Sequence, residues 1–305
     1  MMRKIFILVL CLIIPFLSCT RKSSVAESET KGLSFTVSIA PQAYILKRIV
    51  GEDVKVNVMV PQNANPETYE PGPKKMMDIK DSRIYFAIGM PFEKALLKRV
   101  KDQFPSVIHS EMHRNIPLRY FDGHEHDHDC DGHHHHHHHH HHGNHDPHIW
   151  VDPVMLIQMA QNTVTELLKI DNINREKYIK NHIAFKQELQ QLHDETLRLF
   201  KDSGGKSFVV YHPAWGYFAD RYGLKQVAIE VDGKEPSASE MAQMVNFIKE
   251  KDVKKIFVQK QFSDNVVKSL SEETGIEAVM IDPLEENVIE SIRKSAELIK
   301  EGLVK

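Results

Sequence analysis

From residue 34 onward the apolar positions switch between two periods. Short β-branched runs at 35–40, 54–60 and 83–88 read as strands, and 42–50 between the first two has helical spacing. The second half repeats the pattern, with strands predicted at 207–211, 255–258 and 278–281 and helices at 238–251, 264–274 and 286–302. Ser237 followed by Glu240 makes a capping box that opens the first of those helices. Strands that alternate with helices are joined by crossovers, and crossovers set neighbouring strands parallel. The expected fold class is α/β, with two lobes, each carrying a mostly parallel doubly wound sheet.

Between the two halves, 174–200 contains no Gly or Pro and places apolar side chains at Tyr178, Ile179, Ile183, Phe185, Leu189, Leu192, Leu197 and Phe200. A helix of that length reaches roughly 40 Å, so one long rigid helix should join the lobes in place of a loose hinge. Gly204 and Gly205 stop it. The expected layout is an N-terminal lobe over 34–173, a connecting helix over 174–203 and a C-terminal lobe over 204–305.

The first residues change the picture of where this chain works. Arg3 and Lys4 precede an apolar stretch at 5–17, which is too short to span a bilayer and reads as a signal peptide over 1–18. It ends in Phe16-Leu17-Ser18-Cys19, a sequence that resembles a bacterial lipobox, although Phe16 stands where Leu is usual. Cys19 is then the expected lipid anchor, and the Ser-, Lys- and Glu-rich stretch to residue 33 a flexible tether. Either exported form is extracytoplasmic, periplasmic or at the cell surface. Of the three cysteines, Cys11 lies in the apolar stretch and Cys19 at the anchor, so Cys130 alone remains and no intrachain disulfide can form. The net charge of −3, without a basic stripe, gives no reason to expect a nucleic-acid partner. A monomer is expected.

A low-complexity segment at 123–145 holds His124, His126 and His128, then ten consecutive histidines from His133 to His142, with Asp127, Asp129 and Asp131 among them. It has no apolar residues with which to build a core and reads as a loop. The H-E-x-x-H match at His124, and the same four-residue histidine spacing at His109-Ser110-Glu111-Met112-His113, work as a zinc site only on a helix. The first lies in an apolar-poor run, and the second pair reads as surface histidines. No glycine-rich phosphate loop follows any strand.

Four segments sit just after predicted strands or at the start of helices. They are 61–71 with Glu67, Asp146-Pro147-His148-Ile149-Trp150-Val151-Asp152-Pro153, Tyr211-His212-Pro213-Ala214-Trp215-Gly216, and Ile281-Asp282-Pro283. In open parallel sheets ligands bind beyond the carboxyl ends of the strands, so these segments should face one crevice between the lobes. Glu70 and Asp152 are expected to cap helices or to orient ligands.

In their order and spacing, these motifs resemble the zinc/manganese substrate-binding proteins of bacterial ABC importers, over essentially the whole mature chain. The motifs are Pro-x-x-x-x-Pro-x-x-Tyr-Glu-Pro, Asp-Pro-His-Ile-Trp-Val-Asp-Pro, Tyr-His-Pro-Ala-Trp-Gly-Tyr-Phe and Ile-Asp-Pro-Leu. The resemblance implies metal ligands at Glu67, His148, His212 and Asp282, an importer permease as partner, and no enzymatic activity. It also implies a His-rich loop before the second ligand, as in the zinc-specific members. The family usually has histidine where this chain has Glu67. Two imidazoles and two carboxylates still suit tetrahedral zinc, while carboxylate oxygen moves preference toward harder ions such as manganese. Zinc is the expected ion and manganese the alternative, since the His-rich loop has no advantage for manganese. The competing readings are a metal-dependent enzyme such as a chelatase, which would need an open metal position and a general base, and a metal-buffering or adhesive surface lipoprotein.

Deleting 123–144 is expected to abolish several weak metal sites and spare the tight one, because a chain without a core must be ordered at each binding event. Calorimetric titration of intact and deleted protein checks this, and loss of the tight site would place the loop in the primary site.

Overall fold

The computed structural model describes residues 33–120, 145–230, 237–262 and 264–304. The signal peptide, the tether to residue 32 with Cys19, and the histidine tract at 123–144 lie outside the described residues. From Leu33 on, the chain packs as one compact unit.

The first half runs β1 (Ser34–Val37), α1 (Ala40–Val50), β2 (Lys55–Val58), α2 (Pro73–Ile79), β3 (Ile84–Ala87), α3 (Glu93–Gln103) and β4 (Ile108–Glu111). The second runs β5 (Ser207–Val210), α6 (Gly216–Arg221), β6 (Lys225–Ala228), α7 (Ala238–Glu250), β7 (Lys255–Val258), α8 (Asp264–Thr274), β8 (Glu277–Met280) and α9 (Val288–Glu301). Between them lie α4 (Pro153–Ile170) and α5 (Arg175–Phe200). The sheets have orders β2-β1-β3-β4 and β6-β5-β7-β8, and every described strand pair is parallel. Two α/β lobes of the same topology follow, as the alternating periods predict.

Some boundaries move for local reasons. β1 ends at Val37 instead of running to Ala40, because Gln42 Oε1 accepts the Ser38 and Ile39 amides at 2.9 and 3.1 Å and turns the chain into α1. Pro41 suits the first turn of that helix, where an amide proton has no partner to lose. Helix α4 lies outside the predicted elements, although Leu156, Met159, Ala160, Val164 and Leu167 recur at helical spacing and are buried. Its Asp152-Pro153 start coincides with the end of a ligand motif. Asp152 caps α4, accepting the Val154 amide at 2.8 Å, and pairs with Arg221 of α6 at 2.9 Å. Glu70 does not cap α2; Gly72 holds that position and Glu70 is exposed. His109 lies on strand β4, and both His109 and His113 are half-buried, so they are neither a helical pair nor surface histidines.

The long helix α5 has 26 residues, about 39 Å of axis. Its buried face, Tyr178, Phe185, Leu189, Leu192 and Phe200, enters a core shared by both halves, with Phe35 and Phe86 from one sheet and Phe208 and Phe257 from the other. Arg48 of α1 pairs with its Glu188 at 2.5 Å and Arg293 of α9 with its Glu195 at 3.4 Å. Exposed pairs of this kind add little stability, and the shared apolar core is what holds the helix against both halves.

Phe185 is fully buried and meets Tyr44 edge-on at 5.9 Å, whereas Ile183 on the same helix is 51% exposed. Phe185→Ala is therefore expected to lower unfolding free energy by about 3–5 kcal/mol, and Ile183→Ala to change it by no more than about 0.5 kcal/mol. Urea unfolding of the two variants measures the difference.

Candidate metal centre

Strand register builds half of this site. β5 pairs with β6 at Val210↔Ala228 and with β7 at Val210↔Phe257. Two residues beyond those pairs come His212, Glu230 and Gln259, side by side past the carboxyl end of the sheet. There Glu230 Oε2 meets His212 Nδ1 at 2.9 Å, and Gln259 Nε2 donates to the His212 carbonyl at 3.4 Å. Stacking on Phe262, with ring centroids 4.5 Å apart, fixes the plane of the His212 ring. From the other half, His148 stands at the start of the short turn Ile149–Val151, and its Nδ1 meets Asp146 Oδ1 at 2.8 Å. The His148 amide donates to the same oxygen at 2.9 Å.

An imidazole that donates its Nδ1 proton to a carboxylate presents the Nε2 lone pair on its opposite edge. Both rings do this, and their Nε2 atoms face each other 3.3 Å apart. Glu67 Oε1 completes a triangle, 3.8 Å from His148 Nε2 and 3.6 Å from His212 Nε2. Tetrahedral donors around a zinc ion at about 2.0–2.1 Å lie about 3.3 Å apart. The imidazole pair matches that spacing and Glu67 stands slightly wide. Among the described residues this is the one group of three or more His, Cys, Asp or Glu side chains able to share an ion.

The charge of the site calls for a cation. Burial opposes a charge on His148, but the Asp146 hydrogen bond, its charge, and the charges of Glu67 and Glu230 outweigh this and raise its pKa above the ordinary value. Two lone pairs facing at 3.3 Å repel unless a proton or a metal lies between them. The adjoining pocket, walled by Pro66, Trp150, Phe262 and Leu284, has about 10 Å³ of free space, room for one water-sized particle and no organic ligand.

Asp282 lies outside the group that converges. Its Oδ1 accepts the Leu284 amide at 2.9 Å and Gln261 Nε2 at 3.2 Å. Its Oδ2 is buried and accepts no hydrogen bond, with Lys260 Nζ 3.5 Å away. Lys260 is thus the cationic partner of this buried oxygen. Two bonds cross the cleft nearby: Gln261 also donates to the Gln62 carbonyl at 3.0 Å, and Trp150 Nε1 to the Pro283 carbonyl at 2.7 Å.

A family model described as the zinc-uptake complex component A, periplasmic (ZnuA), matches residues 36–302. The chain belongs to the ZnuA family. It is 30% identical over 289 residues to the high-affinity zinc uptake system protein ZnuA of Bacillus subtilis, covering 92% of this chain and 88% of that one. It is also 30% identical over 294 residues to the zinc-binding protein AdcA of Streptococcus pyogenes, of which it spans 56% while 93% of this chain is covered. A crystal structure of ZnuA superposes with a TM-score of 0.79 at 31% identity, over 89% of this chain and 99% of that one.

Within this ZnuA-family chain, sequence reasoning missed the two carboxylates that orient the histidines. Asp146 carries a signal, its position two residues before His148. Glu230 carries none, since 18 residues separate it from His212 and only strand pairing makes them neighbours.

Replacing His212 with Ala is expected to weaken divalent-metal affinity by more than the roughly 10–100-fold that loss of an orienting partner costs, with the circular dichroism spectrum retained. Metal titration against a competing chelator measures it, and unchanged affinity would remove His212 from the site.

Proposed function

We propose that this protein captures zinc outside the cytoplasm and delivers it to the membrane permease of an ABC importer. Zinc is cargo in this reading, and the chain is a carrier and no enzyme. The observation that carries the proposal is the paired tethering of His148 and His212 through Nδ1 to buried carboxylates, which aims both Nε2 atoms at Glu67. Membership of the ZnuA family supports zinc over manganese, as do the names of the relatives, and supports the importer as partner.

Glu67, His148 and His212 are the proposed ligands, and Asp282 the fourth. Asp282 Oδ2 is a buried acceptor without a hydrogen bond, and completing the set requires it to exchange the Lys260 ammonium 3.5 Å away for the ion. The ion binds as a dication to neutral imidazoles and ionised carboxylates, so binding weakens where the imidazoles protonate. The proposed location is extracytoplasmic, with the chain anchored by lipid at Cys19 and acting as a monomer.

Disruption of the gene is expected to slow growth of the host under divalent-metal chelation, with rescue by added zinc and not by manganese. Rescue by manganese alone would overturn the choice of cargo. The same choice is tested on the protein: Glu67→His replaces a hard oxygen by imidazole nitrogen and should raise the zinc-to-manganese affinity ratio in competition titrations.

A further inference from the structure

Arg119 lies outside the ligand set, yet it touches both halves of the protein and the carboxylate behind His148. Its Nη1 pairs with Asp146 Oδ2 at 3.1 Å, while Asp146 Oδ1 holds His148. Its Nε pairs with Asp220 of α6 at 3.0 Å. Its amide donates to Tyr217 Oη at 2.9 Å, and that hydroxyl donates to the Asp146 carbonyl at 3.0 Å. The ring of contacts closes through the Asp146 amide, which donates to the Arg119 carbonyl at 3.0 Å. Asp220 and Tyr217 belong to α6, the helix that follows His212 in the second half.

The first residue of α6 is fitted to this arrangement. A Cβ on Gly216 would lie 2.0 Å from Arg119 Nη1 and 2.8 Å from Asp146 Oδ2, so any larger residue would push guanidinium and carboxylate apart. Asp146 is fully buried. Held by His148 alone, its carboxylate could rotate about its last bond and carry the imidazole with it. The planar guanidinium fixes the second oxygen, and with it the plane of the carboxylate.

We propose that Arg119 is a positioning residue of the metal site, which locks Asp146 and through it His148 against α6, the helix that follows His212. The distance between the two imidazoles is then set by one cross-lobe guanidinium in addition to the core. The inference rests on the zinc-binding reading above.

The experiment is a double-mutant cycle read as zinc affinity by chelator competition on the full chain. Arg119→Gln should bind zinc about 10–100-fold more weakly, with nitrogen NMR of His148 showing loss of the single Nδ1-protonated tautomer. If Arg119 acts through Asp146, the double variant Arg119→Gln with Asp146→Asn binds within about twofold of Asp146→Asn alone, because the losses do not add. Gly216→Ala reaches the same guanidinium without altering any charge and should weaken zinc binding in the same direction. It also serves if Arg119→Gln fails to fold. Asp220→Asn removes the guanidinium's contact with α6 and should weaken zinc binding in the same direction, by less than Arg119→Gln does because Arg119 keeps Asp146. Parent-like affinity in both Arg119→Gln and Gly216→Ala, or additive losses in the cycle, would overturn the proposal. Failure of the parent protein itself to bind zinc tightly would overturn the functional reading on which it rests.

Discussion

The site depends on one interaction made twice, a buried carboxylate accepting the Nδ1 proton of a buried imidazole. Asp146 does this for His148 and Glu230 for His212. Each pairing selects a tautomer, fixes a ring orientation and increases the basicity of the opposite nitrogen. Together they bring two lone pairs and a cluster of negative charge into a space of water size. Such an arrangement is poorly satisfied without a cation, and a small divalent ion satisfies it better than a proton because it can be shared by all the donors at once.

Half of that arrangement lies on each lobe, so the distance between the imidazoles depends on how the lobes are held. A flexible hinge would leave the distance between the imidazoles undefined. Instead, α5 buries its apolar face in a core that draws on both sheets. The bonds of Trp150 and Gln261 across the cleft then act on lobes that are already positioned.

Glu67 is the one carboxylate among the three converging side chains. A carboxylate in place of a third imidazole adds negative charge to the site and a harder donor. It also stands wider from the two Nε2 atoms than they stand from each other. Its loop is held to the second lobe through Gln62 and Gln261. Gln261 also binds Asp282, so the first-lobe loop and the remaining candidate ligand are linked by one amide side chain.

Much of this was open to reading along the chain. Alternating periods dictate the α/β class, because buried parallel strands and amphipathic crossovers leave that pattern whatever the details of packing. His212, just past the carboxyl end of β5, and His148, before the turn that leads into α4, stand out as short-range features with Pro and Trp nearby. The start of α1 and the whole of α4 were harder, since Gln42 turns the chain through contacts with Ser38 and Ile39, and the cap of α4 doubles as the end of a motif. Glu230 and Arg119 could not be read at all. Glu230 faces His212 only because β5 and β6 pair in one register, and a shift of one residue would turn it to the other face of the sheet. Arg119 reaches Asp146 and Asp220, 27 and 101 residues away, only after both lobes have folded around α5. The sequence by itself determined which side chains can ligate a metal; register and lobe packing, which act between residues distant in the chain, decided which carboxylates hold them in place.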